Sequence, residues 1–163
     1  MTGAMFGFLT QKKAEHPRIA QLRQLGLFST LKPRELRVVD GLLHEREYLA
    51  SEVVFDAGEE GQALYVVLKG RVLICRQGDP VNGRIAEIPE GALFGELALL
   101  DGAPRTAQAR ALDNCTIAAL SRADFSGLLE THAAIASKVA LQLARDLGQK
   151  LVAKNAAPET RSL

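Results

Sequence analysis

Cysteine is scarce in this sequence, present only as Cys75 and Cys115. Two such distant cysteines make neither a disulfide framework nor a zinc site, which needs closer ligand spacing. They read as half-buried strand thiols in a reducing compartment. An excess of charge is missing too: the formal net charge is +1, so no bulk attraction to nucleic acid or to an acidic membrane surface is expected. Nor does any run approach the roughly 18 to 20 apolar residues that span a bilayer. The opening segment, Met1 to Leu9, is apolar but short and lacks the basic front end of a signal peptide. It reads as a packed N-terminal arm, or else as a tether for a partner, and the protein as cytoplasmic. The histidines, His16, His44 and His132, lie far apart, which excludes the clustered imidazoles of a metal-dependent barrel enzyme, and no metal site is expected.

What is present is the balance of a globular protein, 47% hydrophobic and 24% charged, in a chain of 163 residues that fits one ordinary domain. Three zones differ in pattern. Residues 12–48 read as helical: Leu22 and Leu25 suit one helix, and Leu36, Val39, Leu42 and Leu43 give the buried face of a second. Ser29 or Thr30 would cap that second helix, with Pro33 in its first turn. Residues 47–121 then break into short strand-like runs: Val53 to Phe55, Ala63 to Leu68, Arg71 to Cys75, Arg84 to Ile88 and Cys115 to Leu120. Turn chemistry separates them, at Asp56 to Gly61, Lys69-Gly70, Gln77 to Pro80, Asn82-Gly83 and Pro89 to Gly91. No helix intervenes, so a parallel nucleotide-binding sheet is excluded and an antiparallel roll is favoured. Helix returns after Ser121-Arg-Ala-Asp124, a capping-box pattern. A long helix from Ala133 to about Lys154 follows, with Val139, Leu143, Leu147 and Leu151 in one stripe. The fold class expected is α+β: an antiparallel, jelly-roll-like β-roll of about eight strands, with N-terminal helices, one short helix inside the roll and a long C-terminal helix. The segments are an arm and helices over 1–46, the roll with its last helix over 47–154, and a frayed tail over 155–163.

The most informative stretch is Phe94-Gly-Glu-Leu-Ala-Leu-Leu-Asp-Gly-Ala-Pro-Arg-Thr-Ala107. Gly95 lets a ligand approach the backbone closely, and the amides of the short helical turn after it suit an anion. Arg105, returning after a tight Asp-Gly-Ala-Pro turn, supplies a permanent charge with fork geometry for phosphate. Glu96 is an acceptor suited to a sugar hydroxyl. These three features together suit a nucleotide with one compact phosphate. An isolated Glu–Arg pair would be a structural ion pair, and the flanking glycine and turn argue against that reading.

The stretch resembles the phosphate-binding cassette of the cyclic-nucleotide-binding domain family, at Phe94 to Leu99 and Pro104 to Ala107. The likeness extends to Gly58-Glu59, to Leu64-Tyr-Val-Val-Leu-Lys-Gly70, and to Cys115 to Ser121 with Phe125, Leu128 and Leu129, covering roughly residues 27–153. It implies a pocket for cAMP or cGMP and a last helix that acts as a movable lid. It further implies that Arg105, Thr106 and the backbone of Gly95, Leu97 and Ala98 hold the cyclic phosphate, and Glu96 the ribose 2′-hydroxyl. Thr106 resembles the type that also meets the guanine amino group. The lid positions facing the base would be Gln149, Lys150 and Leu151, where the Thr-Ser pair of the bacterial catabolite activator type is absent.

The functional expectation is therefore a non-catalytic regulatory domain. No nucleophile–base pair or carboxylate dyad argues for an enzyme. A transcription regulator of the catabolite activator class is one alternative, but only nine residues follow Lys154, too few for a recognition helix. A domain that kept the fold and lost the ligand, acting as an interaction module, is the other. The partners expected are the cyclic nucleotide and either another protein or a second copy joined through the terminal helices.

Overall fold

The computed structural model of the chain describes residues 16–156. The apolar opening segment and residues 157–163 of the tail lie outside this span. Two short helices come first, α1 (Pro17–Gln24) and α2 (Pro33–Asp40). The cap of α2 is Lys32 and neither Ser29 nor Thr30, because the residue before a proline is pushed out of helical geometry and Lys32 is extended at ψ 159°. Glu35 closes this helix end by accepting from the Lys32 backbone N–H at 2.7 Å.

Strands β1 (His44–Tyr48), β2 (Val53–Phe55), β3 (Ala63–Lys69), β4 (Val72–Arg76), β5 (Asp79–Ile88), β6 (Leu93–Phe94), β7 (Gln108–Ala111) and β8 (Cys115–Ser121) follow. Among the described residues they form two antiparallel four-stranded sheets, ordered β1-β8-β3-β6 and β2-β7-β4-β5. With the flanking helices this is the α+β β-roll expected. Helix α3 (Arg122–Thr131) and the 24-residue α4 (Ala133–Ala156) complete the described residues. Ser121 caps α3, its hydroxyl accepting from the Asp124 N–H at 3.0 Å, as the capping-box pattern predicts.

Strand alternation divides the apolar residues between two cores. Leu64, Val66 and Leu68 of β3, with Ala118 and Leu120 of β8, face the helices, where they meet Phe28, Leu36, Val39, Phe125, Val139 and Leu143. Val67 of β3 and Cys115 and Ile117 of β8 point instead into the roll, beside Phe55, Val72 and Phe94. The sheet β1-β8-β3-β6 is therefore covered on both sides. Cys75 and Cys115 are both fully buried thiols, and burial pushes the Cys75 thiol up from its ordinary pKa.

Three strands depart from the sequence reading. β1, His-Glu-Arg-Glu-Tyr, falls inside the zone read as helical and exposes every residue but Tyr48. It is a charged edge strand, held by its register on β8 from His44↔Ala119 to Tyr48↔Cys115. β7, Gln-Ala-Arg-Ala, has little strand propensity, yet it lies between β2 and β4, where its buried alanines fit a crowded interior. β6 has only two residues. The Asn82-Gly83 turn lies within β5, in the four residues that bulge between the Arg76↔Asp79 and Cys75↔Arg84 pairings.

Lys138 ties α4 to α2 by donating to both Glu35 carboxylate oxygens at 2.8 Å. That hydrogen bond first, then the Lys32 N–H, holds the Glu35 carboxyl below its usual pKa. A folded-state pKa below the unfolded one contributes stability above the unfolded value, and that stability is lost as pH falls through the folded value. Stability is expected to fall as acid is added below about pH 4.3, the ordinary glutamate value. In Glu35→Gln the urea midpoint should fall less between pH 7 and pH 3.5 than in wild type; equal losses would remove Glu35 from the account.

Candidate functional site

The stretch after β6 folds as a tight excursion between the two sheets. Gly95 takes φ +73°, a left-handed conformation that turns the chain into the short 3-10 turn Glu96–Leu99. Ala98 N–H donates back to the Gly95 carbonyl at 3.2 Å, and Ala98 and Leu99 are buried beneath the turn. Asp101 then accepts from the Ala103 N–H at 3.0 Å, which shapes the turn leading to Arg105. The returning segment is clamped to the loop after β2: Arg105 N–H donates to the Glu59 carbonyl at 2.7 Å, and Gly58 N–H to the Arg105 carbonyl at 2.8 Å.

This excursion lines a cavity of about 440 Å³. Gly95, Glu96, Leu97, Ala98, Arg105 and Thr106 all border it, so the structure brings together every residue assigned to phosphate or ribose in the sequence. Its apolar wall is supplied by Phe55, Phe94 and Ile74, and one side is covered by Leu147 and Lys150 of α4. Of the three lid positions expected, Lys150 alone borders the cavity. Gln149 lies in a shallow groove with Arg145, Gly148 and Val152, and Leu151 is exposed. Helix geometry explains the placing of Gln149: Lys150, three residues on from Leu147, shares its face, while Gln149 points away. Leu147 was legible only as core stripe, and Ile74 and Phe55 only as strand residues.

Arg105 is half-buried and stacks 4.2 Å above the Phe55 ring, with Tyr65 at 5.5 Å. Phe55, Tyr65 and Phe94 form one aromatic cluster beneath it, with centroids 5.1 to 6.0 Å apart. The guanidinium donates to the Ala63 carbonyl at 2.7 Å and the Gly95 carbonyl at 3.2 Å, while its buried Nε has no hydrogen-bond partner. Among the described residues no carboxylate pairs with it. A cation held in place without a carboxylate partner and with one donor unmet has the chemistry to receive an anion. The Glu96 carboxylate, 12% exposed, is paired with Lys150.

The sequence pattern of the cyclic nucleotide-binding domain matches residues 45–132, more than half of the chain. The chain belongs to the cyclic nucleotide-binding domain family. The match runs from β1 to the end of α3, so it contains the whole cavity rim except α4. The cyclic AMP receptor protein of Thermus thermophilus is 35% identical over 122 residues, covering 74% of this chain and 56% of that protein. The cAMP-dependent protein kinase regulatory subunit of Emericella nidulans is 34% identical over 110 residues, covering 68% and 26%. The chain thus spans about half the length of the first relative and about a quarter of the second. Among solved structures, the N-terminal domain of a transcriptional regulator from Streptomyces coelicolor superposes with a TM-score of 0.73 at 27% identity, over 87% of this chain and 99% of that one. Among the described residues of this family member no helix is long and apolar enough to cross a membrane.

Proposed function

We propose that the chain is a non-catalytic regulatory module that binds a 3′,5′-cyclic nucleotide, cAMP or cGMP, and reports occupancy by moving α4. One observation carries the reading: Arg105, a half-buried cation with no carboxylate partner among the described residues, shares a cavity of about 440 Å³ with Glu96. That volume lies within the range of small-molecule sites. In this reading the cyclic phosphate lies between Arg105, the Thr106 hydroxyl and the backbone of Gly95, Leu97 and Ala98. Glu96 accepts from the ribose 2′-hydroxyl, and the base stacks against the Phe55 and Ile74 wall under Leu147. The family membership supports it, as do relatives named for cyclic AMP reception and cAMP-dependent kinase regulation. The role is regulatory and the setting cytoplasmic.

The signal leaves through α4. Ile135, Ala136, Val139 and Leu143 bury the first half of this helix against the other helices and the sheet, whereas every residue from Gly148 to Ala156 is exposed. A helix anchored at one end and free at the other suits a two-state reporter. Its outer face, with Leu141, Leu151 and Val152 exposed, would meet the partner, another protein or a second copy.

A second reading, a domain that kept the fold and lost its ligand, draws on the internal pairing of Glu96 with Lys150. Isothermal titration with cAMP and, separately, cGMP decides between them. Micromolar or tighter binding of either is the expected result, and the tighter ligand shows what Thr106 selects. Silence with both would favour the second reading.

A further inference from the structure

Beyond residue 147, little holds α4 to the β-roll. Leu147 packs partly against the helical core, and every residue from Gly148 to Ala156 is exposed. Among the described residues, apart from the backbone bonds within α4, the pairing of Lys150 Nζ with Glu96 Oε1 is the one hydrogen bond or ion pair that joins residues 148–156 to the rest of the domain. Its two ends differ in surroundings. Glu96 is 12% exposed and fixed by the 3-10 turn, whereas the Lys150 side chain is 59% exposed on a long flexible stem. Lys150 also lies outside the segment that matches the family pattern.

We propose that Lys150 is a tethered competitor for the sugar-binding carboxylate, and that it sets the affinity of the site. This rests on the reading that Glu96 receives the ribose 2′-hydroxyl. Lys150 holds Oε1, and the ribose hydroxyl is assigned to that same oxygen and not to Oε2, so ammonium and hydroxyl compete for one acceptor. A cyclic nucleotide carrying that hydroxyl therefore binds by displacing Lys150, and the displacement removes the polar link between distal α4 and the roll. Occupancy and release of the helix become two sides of one exchange at Glu96, with a coupling that is reciprocal. The coupling is modest. Ion pairs with one well-exposed partner contribute little and are screened by salt, so removing the lysine is expected to tighten binding by about two- to fivefold.

The test has two arms. On nucleotide-free protein, hydrogen exchange of amides 145–156 is compared in wild type, Lys150→Gln, Glu96→Gln and the double variant. The tether predicts faster exchange in each single variant and no further increase in the double; unchanged exchange in the single variants overturns it without reference to any ligand. In the second arm, wild type and Lys150→Gln are titrated with cAMP, cGMP and the 2′-deoxy analogue of whichever binds tighter. Competition predicts tighter binding to Lys150→Gln for the ribose ligand and no gain for the 2′-deoxy ligand, with the gain shrinking at high salt. Weaker binding by Lys150→Gln would make the lysine a ligand contact and overturn the proposal. Absence of binding by either protein, with the exchange pattern as predicted, would overturn the competition through the reading of Glu96 beneath it, and leave the helix tether standing as a structural contact.

Discussion

Arg105→Ala is expected to lower cyclic nucleotide affinity by about thirtyfold or more while the domain stays folded. Removing one partner of a buried, hydrogen-bonded charge pair costs about 2 to 5 kcal/mol, because the remaining charge keeps its desolvation penalty and loses its partner. Here the remaining charge would be the ligand phosphate, and among the described residues the cavity rim has no other cationic side chain but Lys150. The effect on folding is smaller and of mixed sign. Alanine forfeits the contact with the Phe55 ring and the bonds to the Ala63 and Gly95 carbonyls. It also removes an Nε that is buried without a partner. A net loss of about 1 to 2 kcal/mol would leave a cooperative melt. Arg105→Lys keeps the charge but offers a point donor in place of a fork, so it is expected to recover only part of the affinity. Titration beside a thermal melt checks all three proteins. Wild-type affinity in a folded Arg105→Ala protein would show that the anion binds elsewhere.

That prediction could be framed from sequence because the cassette is local. Phe94 to Ala107 builds the rim from one contiguous segment, and its glycine, proline and turn residues act on their immediate neighbours. The same locality made β3, β8, the cap at Ser121 and the long last helix legible. β1 and β7 were not, since neither the charges of His-Glu-Arg-Glu-Tyr nor the small residues of Gln-Ala-Arg-Ala favour a strand by themselves. Each is a strand because a distant partner offers an edge: β8 lies about seventy residues beyond β1, and β7 fills the gap between β2 and β4. The rest of the cavity wall escaped notice for the same reason. Phe55, Ile74 and Leu147 look like ordinary core residues until folding brings them opposite Arg105. The Lys150–Glu96 pairing joins residues 54 apart and has no local signal.

Two glycines separate what the cassette needs for binding from what the roll needs for folding. Gly95 and Gly70 both adopt left-handed backbone, at φ +73° and +83°. Alanine at either carries about 1 to 2 kcal/mol of backbone strain. Their surroundings then diverge. A Cβ on Gly70 would lie 2.7 Å from the Asn114 carbonyl oxygen and 3.1 Å from the Cys115 Cα, backbone at the start of a buried strand. That wall cannot yield without moving the β3–β4 turn, so Gly70→Ala is expected to cost about 3 kcal/mol or more, a large fraction of a typical domain's stability. Its urea midpoint should fall steeply, while the molecules that remain folded bind nucleotide as wild type does. A Cβ on Gly95 would lie 2.7 Å from Arg105 Nη1, the far end of a side chain that can swing away. Gly95→Ala should therefore keep most of its stability and lose about tenfold or more in affinity, because the guanidinium that must meet the phosphate is the group displaced. Denaturation and titration of the two variants side by side give opposite patterns if Arg105 serves the ligand. If Gly95→Ala bound normally with its stability little changed, the guanidinium could move freely without consequence, and its position beside Gly95 would have no part in recognition.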